Sequence, residues 1–464
     1  MGCARRDGAA SRGCGVPADR PGHGGRSRDG CPAAGGGAHG KRTRLGRRSH
    51  GSRNCRRAGA LPVVNLEADD KPLKVLHIGP TPFFSDRGCH IRIRGLVRGL
   101  QQQDVECWLC TYGLGNEVPD VETERVASIP GYRRLDAGPS VFKYVADVLL
   151  LAKVCGSIMR RNPDVLHGHL HEGALIGHAA RTLLFWKRLP LVFDMQGSLT
   201  GELDQYGYFK WLPPVRWLFH AAEWMIGRLP DRIAASSRSS LEIAQGQFGI
   251  APQRLTLVED GADVTPADPQ AVAQLRAELE IPDDRFVVVY TGTLKKVKGL
   301  PELLDVIQKT VAQDGGVHFV LVGYPVEEAA AFLREHDLES RCTLAGRVAF
   351  DRVNEYLALG DIALEPKSAG TGEASGKLLN YMAAGLPVVC FDTPNNRAML
   401  HDSGCYASPG RTDELVDAIA KLAADPERAR QLGTHGQARV SSEFSWDSSA
   451  ETLLHVYYDC IGDY

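Results

Sequence analysis

The chain has 464 residues, of which 43% are hydrophobic and 24% charged, and its formal net charge is −2. This length is enough to bury a large apolar core and predicts two or three domains. No run of 18 apolar residues occurs in the sequence, so we expect no membrane-spanning helix.

The first 60 residues differ in composition from the rest. They carry 14 Lys/Arg, 3 Asp/Glu and 15 Gly but no Phe, Trp or Tyr, which leaves 40 basic and 53 acidic residues for 61–464. Such a segment buries too little apolar surface to offset the entropy of ordering it, so residues 1–71 are predicted to be a disordered, basic, Gly/Arg-rich tail. A basic arm can bind nucleic acid or anionic lipid. We favour a tail without function, translated from upstream of the true start, and expect no nucleic-acid partner.

The tail has no apolar core of the kind that a secretory signal needs. The chain has 12 cysteines, four of them in the tail and the others scattered through apolar runs. That distribution is typical of reduced, buried thiols rather than of a disulfide framework. We therefore expect a cytoplasmic protein.

From residue 73 the pattern alternates strand and helix. Residues 73–79 read as a buried strand, 80–88 as a Gly/Pro-containing loop, and the following residues to about 100 as a helix. A strand, small-residue loop and helix in this order are typical of the phosphate-facing turn of a Rossmann-like half. The loop has no G-x-G-x-x-G, which disfavours an NAD site.

The alternation continues in two series. Predicted strands at 105–111, 164–168, 190–194, 232–236 and 255–259 complete a first domain over residues 72–262. Residues 263–284 form a linker with one helix, and a second series begins at 286–291 and continues at 317–323, 341–346, 362–364 and 387–391. Such alternation requires parallel sheets covered on both faces. We predict an α/β fold of two Rossmann-like parallel-sheet domains, the second over residues 285–445, followed by a C-terminal helix in 446–464.

The stretch 362–391 is the most informative part of the sequence. A short apolar strand is followed by a Gly/Ser/Thr loop at 368–376, a helix from about Lys377 and a second buried strand. Small residues let backbone N–H groups reach an anion such as a diphosphate at a helix N-terminus. Glu373 adds a carboxylate that can accept hydrogen bonds from sugar hydroxyls. The alternative is an ordinary turn between a strand and a helix.

A basic loop, GTLKKVKG, follows the first strand of the second domain. Lys298, helped by Lys295 or Lys296, can neutralise the charge that a nucleoside diphosphate gains when it leaves a sugar. On spacing alone, the alternative is a solvated basic surface.

These two stretches carry a resemblance to a known family. The run KLLNYMAAGLPVV closely resembles the second half of the donor-site signature of the family-4 retaining glycosyltransferases of GT-B fold, and GTLKKVKG resembles their Gly-Arg-Leu loop that ends in Lys-Gly. Thr293 replaces the family's Arg. Asn380 stands where the family has its second Glu, and Gly372 occupies the position of the first Glu, with Glu373 one place later.

The resemblance covers about residues 72–462 and implies two Rossmann-like domains that face each other across a cleft. It implies that Lys298 and the helix start at Ser375, Gly376 and Lys377 hold the donor diphosphate. It also implies that Glu373 contacts the sugar and Asn380 the ribose, and that the last helix crosses back onto the first domain. Gly88 resembles the family's glycine that lets the backbone approach the donor phosphate; the alternative is a glycine that ends a turn.

Two residues are expected on the acceptor side. Gln196, in the segment LVFDMQGSLTGE, stands where the family commonly has a His facing the reacting sugar. A Gln can donate or accept a hydrogen bond but is neither acid nor base near neutral pH, which is compatible with a retaining front-face mechanism; the alternative is a turn cap. His167, His169 and His171 alternate as in a metal site, but no fourth ligand is near in sequence. The resemblance has a His here without metal, and we expect His169 to line the cleft.

The resemblance implies a glycosyltransferase that moves a sugar from a nucleotide diphosphate sugar to a hydroxyl acceptor, with retention. The sequence has no Asp-x-Asp tripeptide, so we expect no metal requirement and no cofactor. The aromatic segment 206–225 and a basic helix face formed by Arg92, Arg94 and Arg98 suggest peripheral contact with the inner membrane face and a lipid-linked acceptor; core packing is the alternative. A nucleotide-sugar epimerase of the same architecture and a catalytically silent binding protein remain as rival functions.

Overall fold

The computed structural model describes residues 71–85, 88–132, 141–205, 207–210, 213–313, 316–367 and 376–463. Residues 1–70 of the predicted tail therefore lie outside the described residues. The rest of the chain builds two parallel sheets, one of seven strands and one of six, with helices on the faces of both. The predicted α/β fold with two parallel sheets is confirmed.

The first sheet has the strand order β3-β2-β1-β4-β5-β6-β7, and every adjacent pair is parallel. The order reverses between β1 and β4, which is the switch point where open α/β sheets bind ligands. The elements of this half are β1 (Lys74–Gly79), α1 (Gly88–Gln101), β2 (Glu106–Thr111), β3 (Thr123–Arg125), α2 (Val141–Arg161), β4 (Val165–His169), α3 (Leu170–Leu183), β5 (Leu191–Met195), α4 (Leu199–Gln205), α5 (Pro213–Ile226), β6 (Arg232–Ala235), α6 (Arg238–Gly246) and β7 (Leu255–Leu257).

The second sheet repeats this plan with the order β10-β9-β8-β11-β12-β13, so its switch point lies between β8 and β11. The elements are α7 (Pro269–Glu278), β8 (Phe286–Thr291), α8 (Leu300–Gln313), β9 (Val317–Val322), α9 (Glu327–Glu335), β10 (Cys342–Gly346), α10 (Val353–Leu357), β11 (Ile362–Glu365), α11 (Gly376–Ala383), β12 (Val388–Phe391), α12 (Pro394–Leu400), β13 (Gly404–Ala407), α13 (Thr412–Ala424), α14 (Pro426–Glu443) and α15 (Trp446–Gly462).

The last helix, α15, packs on the first half. Its residues Leu453, Val456 and Tyr457 join the core that also contains α1 and one face of the first sheet. The contact is close because α1 has glycines where α15 crosses it. A Cβ built at Gly95 would lie 2.2 Å from the Trp446 ring. The chain therefore returns to the first half after completing the second.

The two halves are joined at a narrow crossing. The backbone N–H of Ala262, entering the second half, donates to the carbonyl of Phe444, which lies just before α15. At the neighbouring Gly261 a Cβ would lie 2.5 Å from the amide nitrogen of Trp446. The two connections between the halves thus run side by side, next to the ends of β7 and α1.

Candidate active site

The second switch point brings together two loops that are more than 60 residues apart in sequence. Gly299 ends the short turn Lys296–Lys298 with a φ of 89°, and a Cβ built on it would lie 3.0 Å from the carbonyl oxygen of Pro366, just after β11. Such a φ favours glycine over any residue with a Cβ. The basic loop after β8 and the segment after β11 are therefore in contact.

Lys377, the second residue of α11, extends into the same place. Its Nζ lies 2.6 Å from Oε2 of Glu365 and 4.4 Å from the centroid of the Tyr290 ring. Burial opposes the charge on Lys377, but Glu365 together with Tyr290 and Tyr381 outweighs burial and raises the pKa of the lysine above its ordinary value. Lys377 is therefore a cation held by a carboxylate that is only 2% exposed.

The charge of Lys298 also acts on Tyr290. Burial raises the pKa of the Tyr290 phenol, and the charges of Lys377 and Lys298 both act against that rise. Lys298 is half-buried, whereas Lys296 is exposed and forms an ion pair with Glu328 at 3.4 Å. The charges of two lysines from separate segments thus act on Tyr290 at the carboxyl end of β8.

The start of α11 faces the first half of the molecule. Gly376 is its first residue, and a Cβ there would lie 3.7 Å from Oδ2 of Asp260, just after β7. Asn380 lies one turn further along α11 and is half-buried. Of the other predicted donor residues, Gly372, Glu373 and Ser375 lie outside the described residues. Thr293 is half-buried, and its carbonyl accepts a hydrogen bond from the Tyr290 hydroxyl at 3.2 Å.

A buried arginine organises the first switch point. Arg92 of α1 is 2% exposed; its guanidinium donates to Oδ1 of Asp194 at 2.8 Å and to Oδ1 of Asp260 at 2.7 Å. Burial would raise the pKa of the Asp194 carboxyl, but Arg92 and His169 outweigh it and hold that pKa well below its usual range. For Asp260 burial prevails over Arg92 and raises the pKa. The basic helix face expected from Arg92, Arg94 and Arg98 is therefore wrong for Arg92, because that side chain points inward.

Gln196 is attached to this arrangement by its amide. Its Nε2 lies 2.7 Å from Oδ2 of Asp194. A carboxylate can only accept, so the nitrogen of the Gln196 side chain must be the donor. The carbonyl oxygen of Gln196 is thereby left as the atom available to a ligand, and Gln196 can accept a hydrogen bond from a hydroxyl.

His169 does not line the cleft. Its side chain is fully buried, with Nδ1 at 2.8 Å from Asp194 and Nε2 at 3.0 Å from Nδ1 of His77. Alternate residues of a strand share one face, and on β4 that face lies beneath α15, where His167 contacts the hydroxyl of Tyr457. The prediction of a cleft position for His169 is wrong for this reason.

The His-x-His-x-His pattern is divided by the end of β4. His171 belongs to α3 and pairs with Glu223 at 3.3 Å. The third histidine beside His167 and His169 is His77, and one nitrogen from each of these rings lies within 4.8 Å of the others. Burial lowers the pKa of both His77 and His167, so both rings are held neutral. Between Asp194 and α15, His169 hydrogen-bonds to Asp194 and to His77, and His167 hydrogen-bonds to Tyr457 of α15.

Gly88 is the first residue of α1 and is exposed. A Cβ built there would meet nothing within 4 Å, so no protein contact requires glycine at this position. The space around it is open on the side of the first switch point.

Two family models match the two halves separately. The model described as "Glycosyl transferase 4-like domain" matches residues 87–261, and "Glycosyl transferases group 1" matches residues 285–425. Together they span both switch points. The chain is a family-4 glycosyltransferase of GT-B fold.

Curated relatives of this glycosyltransferase are distant. It is 24% identical over 379 residues to a D-inositol 3-phosphate glycosyltransferase of Rhodococcus jostii, with 79% of this chain and 74% of that protein covered. It is 25% identical over 323 residues to an alpha-maltose-1-phosphate synthase of Mycolicibacterium smegmatis, with 63% and 78% covered.

Solved structures share its fold. HepE of Anabaena in complex with UDP and glucose superposes with a TM-score of 0.67 at 18% identity, covering 83% of this chain and all of that one. Sucrose-phosphate synthase of Thermosynechococcus elongatus gives a TM-score of 0.69 at 17% identity, with 84% and 100% covered. At these identities the likeness concerns the fold alone.

Several residues of the glycosyltransferase site were not predicted from its sequence. Glu365 and Tyr290 lie at strand ends, where an apolar run gives no reason to single them out. Asp194 lies within the predicted strand that ends at residue 194, and Asp260 follows a predicted strand. A charged residue at the carboxyl end of a parallel strand near the switch point was the available signal for all of them except Tyr290.

Proposed function

We propose that this glycosyltransferase moves a sugar from a nucleotide diphosphate sugar to a hydroxyl acceptor, with retention and without a metal ion. The observation that carries the proposal is that the charges of Lys298 and Lys377, which come from two separate segments, both act on Tyr290 at the switch point of the second sheet. A diphosphate bound there would meet two cations and the N–H groups at the start of α11. The neighbour HepE was solved with UDP and glucose, which supports a nucleotide-sugar donor.

The lysines would stabilise the leaving group. As the bond between the sugar and the phosphate oxygen breaks, the nucleoside diphosphate gains negative charge that fixed cations stabilise. Glu365 keeps Lys377 in place without removing its charge, because an ion pair with a buried carboxylate favours the protonated lysine. Asn380, further along α11, is proposed to hold the ribose, and Glu373 the sugar hydroxyls.

The acceptor side offers no general base at Gln196. Asp194, which accepts a hydrogen bond from the Gln196 amide, is itself bound by Arg92. Its depressed pKa keeps it ionised and makes it a weak base. The acceptor oxygen would form its bond to the anomeric carbon on the face from which the phosphate leaves. The acceptor proton would pass to the departing phosphate oxygen, which balances the step and retains the configuration. Gln196 would orient a hydroxyl through its carbonyl oxygen.

The absence of an Asp-x-Asp tripeptide from the sequence supports transfer without a metal. All eight cysteines among the described residues are unpaired thiols, which supports a cytoplasmic location. The acceptor is proposed to be a hydroxyl compound that can be carried by a lipid.

A panel of nucleotide sugars, scored by thermal shift with and without magnesium, tests the proposal. A donor that binds the native state raises the melting temperature. We expect one nucleotide sugar to do so equally with magnesium and with a chelator, and to transfer its sugar only when an acceptor is present. Free epimer formed from donor alone would indicate an epimerase. Binding without turnover on any acceptor would indicate a silent protein.

A further inference from the structure

Exposed apolar side chains are concentrated on one part of the molecule. In the described part of the chain, fifteen of the sixteen exposed large hydrophobic residues lie between 142 and 225, and the other is Val264. They include Trp217 at 74% and Phe185 at 73% exposure. Single exposed hydrophobic residues are ordinary, but a concentration of this size marks an interaction surface.

Helix α2 shows the pattern most clearly. Ala146, Leu150, Val154 and Ile158 pack toward the sheet. The opposite side presents Tyr144, Val145, Val148, Leu149 and Met159, all exposed. A helix that is apolar on both sides needs a partner on each. The helix has 21 residues and is about 31 Å long.

Three helices carry these side chains on the same face of the first sheet. Helix α3 lies between α2 and α5 and contacts both, while α1 and α15 cover the opposite face of the sheet. The outward sides of α2, α3 and α5, with the turn at Phe185 and Trp186 that follows α3, therefore lie next to one another. We call them the outer apolar face.

Residues 141–228, which carry the outer apolar face, differ in charge balance from the other residues of 61–464. Residues 141–228 carry 10 Lys/Arg and 7 Asp/Glu, whereas the other residues of 61–464 carry 30 and 46. Arg188 and Arg216 are exposed on or beside the outer apolar face, and the guanidinium of Arg228 lies 3.6 Å from the Trp224 ring centroid. A basic, aromatic surface on residues 61–464, which are otherwise acidic, complements an anionic layer with an apolar interior.

We propose that the outer apolar face docks on an anionic membrane surface, with Phe185 and Trp217 inserted at headgroup depth. No described helix is both long and apolar enough to cross a bilayer, so the contact is peripheral. Trp is favoured at the boundary between headgroups and acyl chains, and arginines beside it bind lipid phosphates.

The docking face is joined to the acceptor side of the cleft. Glu223 of α5 accepts hydrogen bonds from the backbone N–H groups of Leu199 and Thr200 at the start of α4, at 2.9 and 3.1 Å. That helix begins three residues after Gln196. Through this link, docking presents the acceptor side of the cleft to hydroxyls carried by membrane lipids. This part of the inference rests on the proposed function.

Flotation of the full-length protein with vesicles tests the proposal. We expect binding to phosphatidylglycerol-containing vesicles and little binding to pure phosphatidylcholine. The double variant F185S/W217S should bind about tenfold or more weakly, and R216E about fivefold more weakly. The matched controls are V264S, the exposed apolar side chain outside the face, and R430E, an arginine 72% exposed in the second half. Both controls should bind like the wild type, and all variants should melt like it.

The basic tail is a second source of attraction to anionic lipid, and insertion separates the two. Brominated acyl chains should quench tryptophan fluorescence at high salt, where attraction through the tail is screened, and W217F should lose part of that quenching. Equal flotation of F185S/W217S and wild type, or no quenching, would overturn the proposal. A dimer that forms without vesicles and is broken by F185S/W217S would show that a second copy covers the face. Nucleotide binding by thermal shift is measured separately, so failure here leaves the proposed donor site standing.

Discussion

The two sheets have the same strand order, and each reverses at a switch point, but the two switch points differ in charge. At the second, Lys377 pairs with the buried carboxylate of Glu365, and the charge of Lys298 acts on the neighbouring Tyr290. At the first, one arginine, Arg92, is shared by Asp194 and Asp260. The fold provides two similar crevices, and the charges distinguish them. This difference is the basis for proposing an anion in the second crevice and a neutral hydroxyl compound in the first.

The largest effect on turnover is expected from Lys298→Ala, which removes the half-buried lysine of the basic loop after β8. Turnover should fall by about 100- to 1000-fold, as when one preorganised electrostatic contact to a transition state is lost. Lys296→Ala is the matched control, because that lysine is exposed and bound to Glu328, and it should change turnover less than about twofold. Equal losses in the two variants would mean that the loop contributes only general positive charge.

The next comparison breaks one buried ion pair in each half. Lys377→Met leaves Glu365 buried without its lysine, and Arg92→Met does the same to Asp194. Each should lower the free energy of unfolding by about 3–5 kcal/mol, measured in urea. Only Lys377→Met should also abolish nucleotide binding by the folded fraction. If Arg92→Met abolished it equally, the charge contrast between the two crevices would not explain where the donor binds.

Sequence patterns predicted most of the fold because buried parallel strands read as apolar runs. Two strands were missed, Thr123–Arg125 and Gly404–Ala407, since both are short edge strands in which all residues but Ala407 are only half-buried. The site was harder to predict. Lys298 and Lys377 stand in a loop and at a helix start that both have a recognisable spacing, whereas the pairing of Arg92 with Asp194 joins residues 102 apart and has no local signal. His169 was misplaced because alternation along β4 does not tell which face of the strand meets the cleft.

Gln196→Glu adds a third carboxylate to the crevice at the first switch point, which already holds Asp194 and Asp260. The new carboxyl would lie beside ionised Asp194, which raises the pKa of the introduced Glu. When protonated, it can donate to Asp194 as the Gln amide does. Turnover should therefore be about tenfold below wild type at pH 8 and recover as the pH falls toward 5. Gln196→Met, which cannot donate at any pH, should show no such recovery in a pH–rate profile.

The smallest effect, on the free energy of unfolding, is expected from Asp260→Asn. Asp260 and Asp194 share Arg92 but have opposite pKa shifts, so their Asn variants should differ. Folding raises the pKa of the Asp260 carboxyl, so the native state disfavours its ionised form. Ionised Asp260 therefore weakens the native state as the pH rises from the unfolded-state pKa toward the folded-state pKa. An Asn at 260 can still accept from Arg92 without carrying charge. Its free energy of unfolding at pH 7 should stay within about 0.5 kcal/mol of wild type, or exceed it, and the difference should move in favour of the variant as the pH rises above about 4. Asp194, whose pKa is depressed, contributes stability above its unfolded value, so Asp194→Asn should lose about 3 kcal/mol or more at pH 7. Equal losses in the two Asn variants would show that Arg92 needs both carboxylates, and that the excess negative charge of the first crevice is structural.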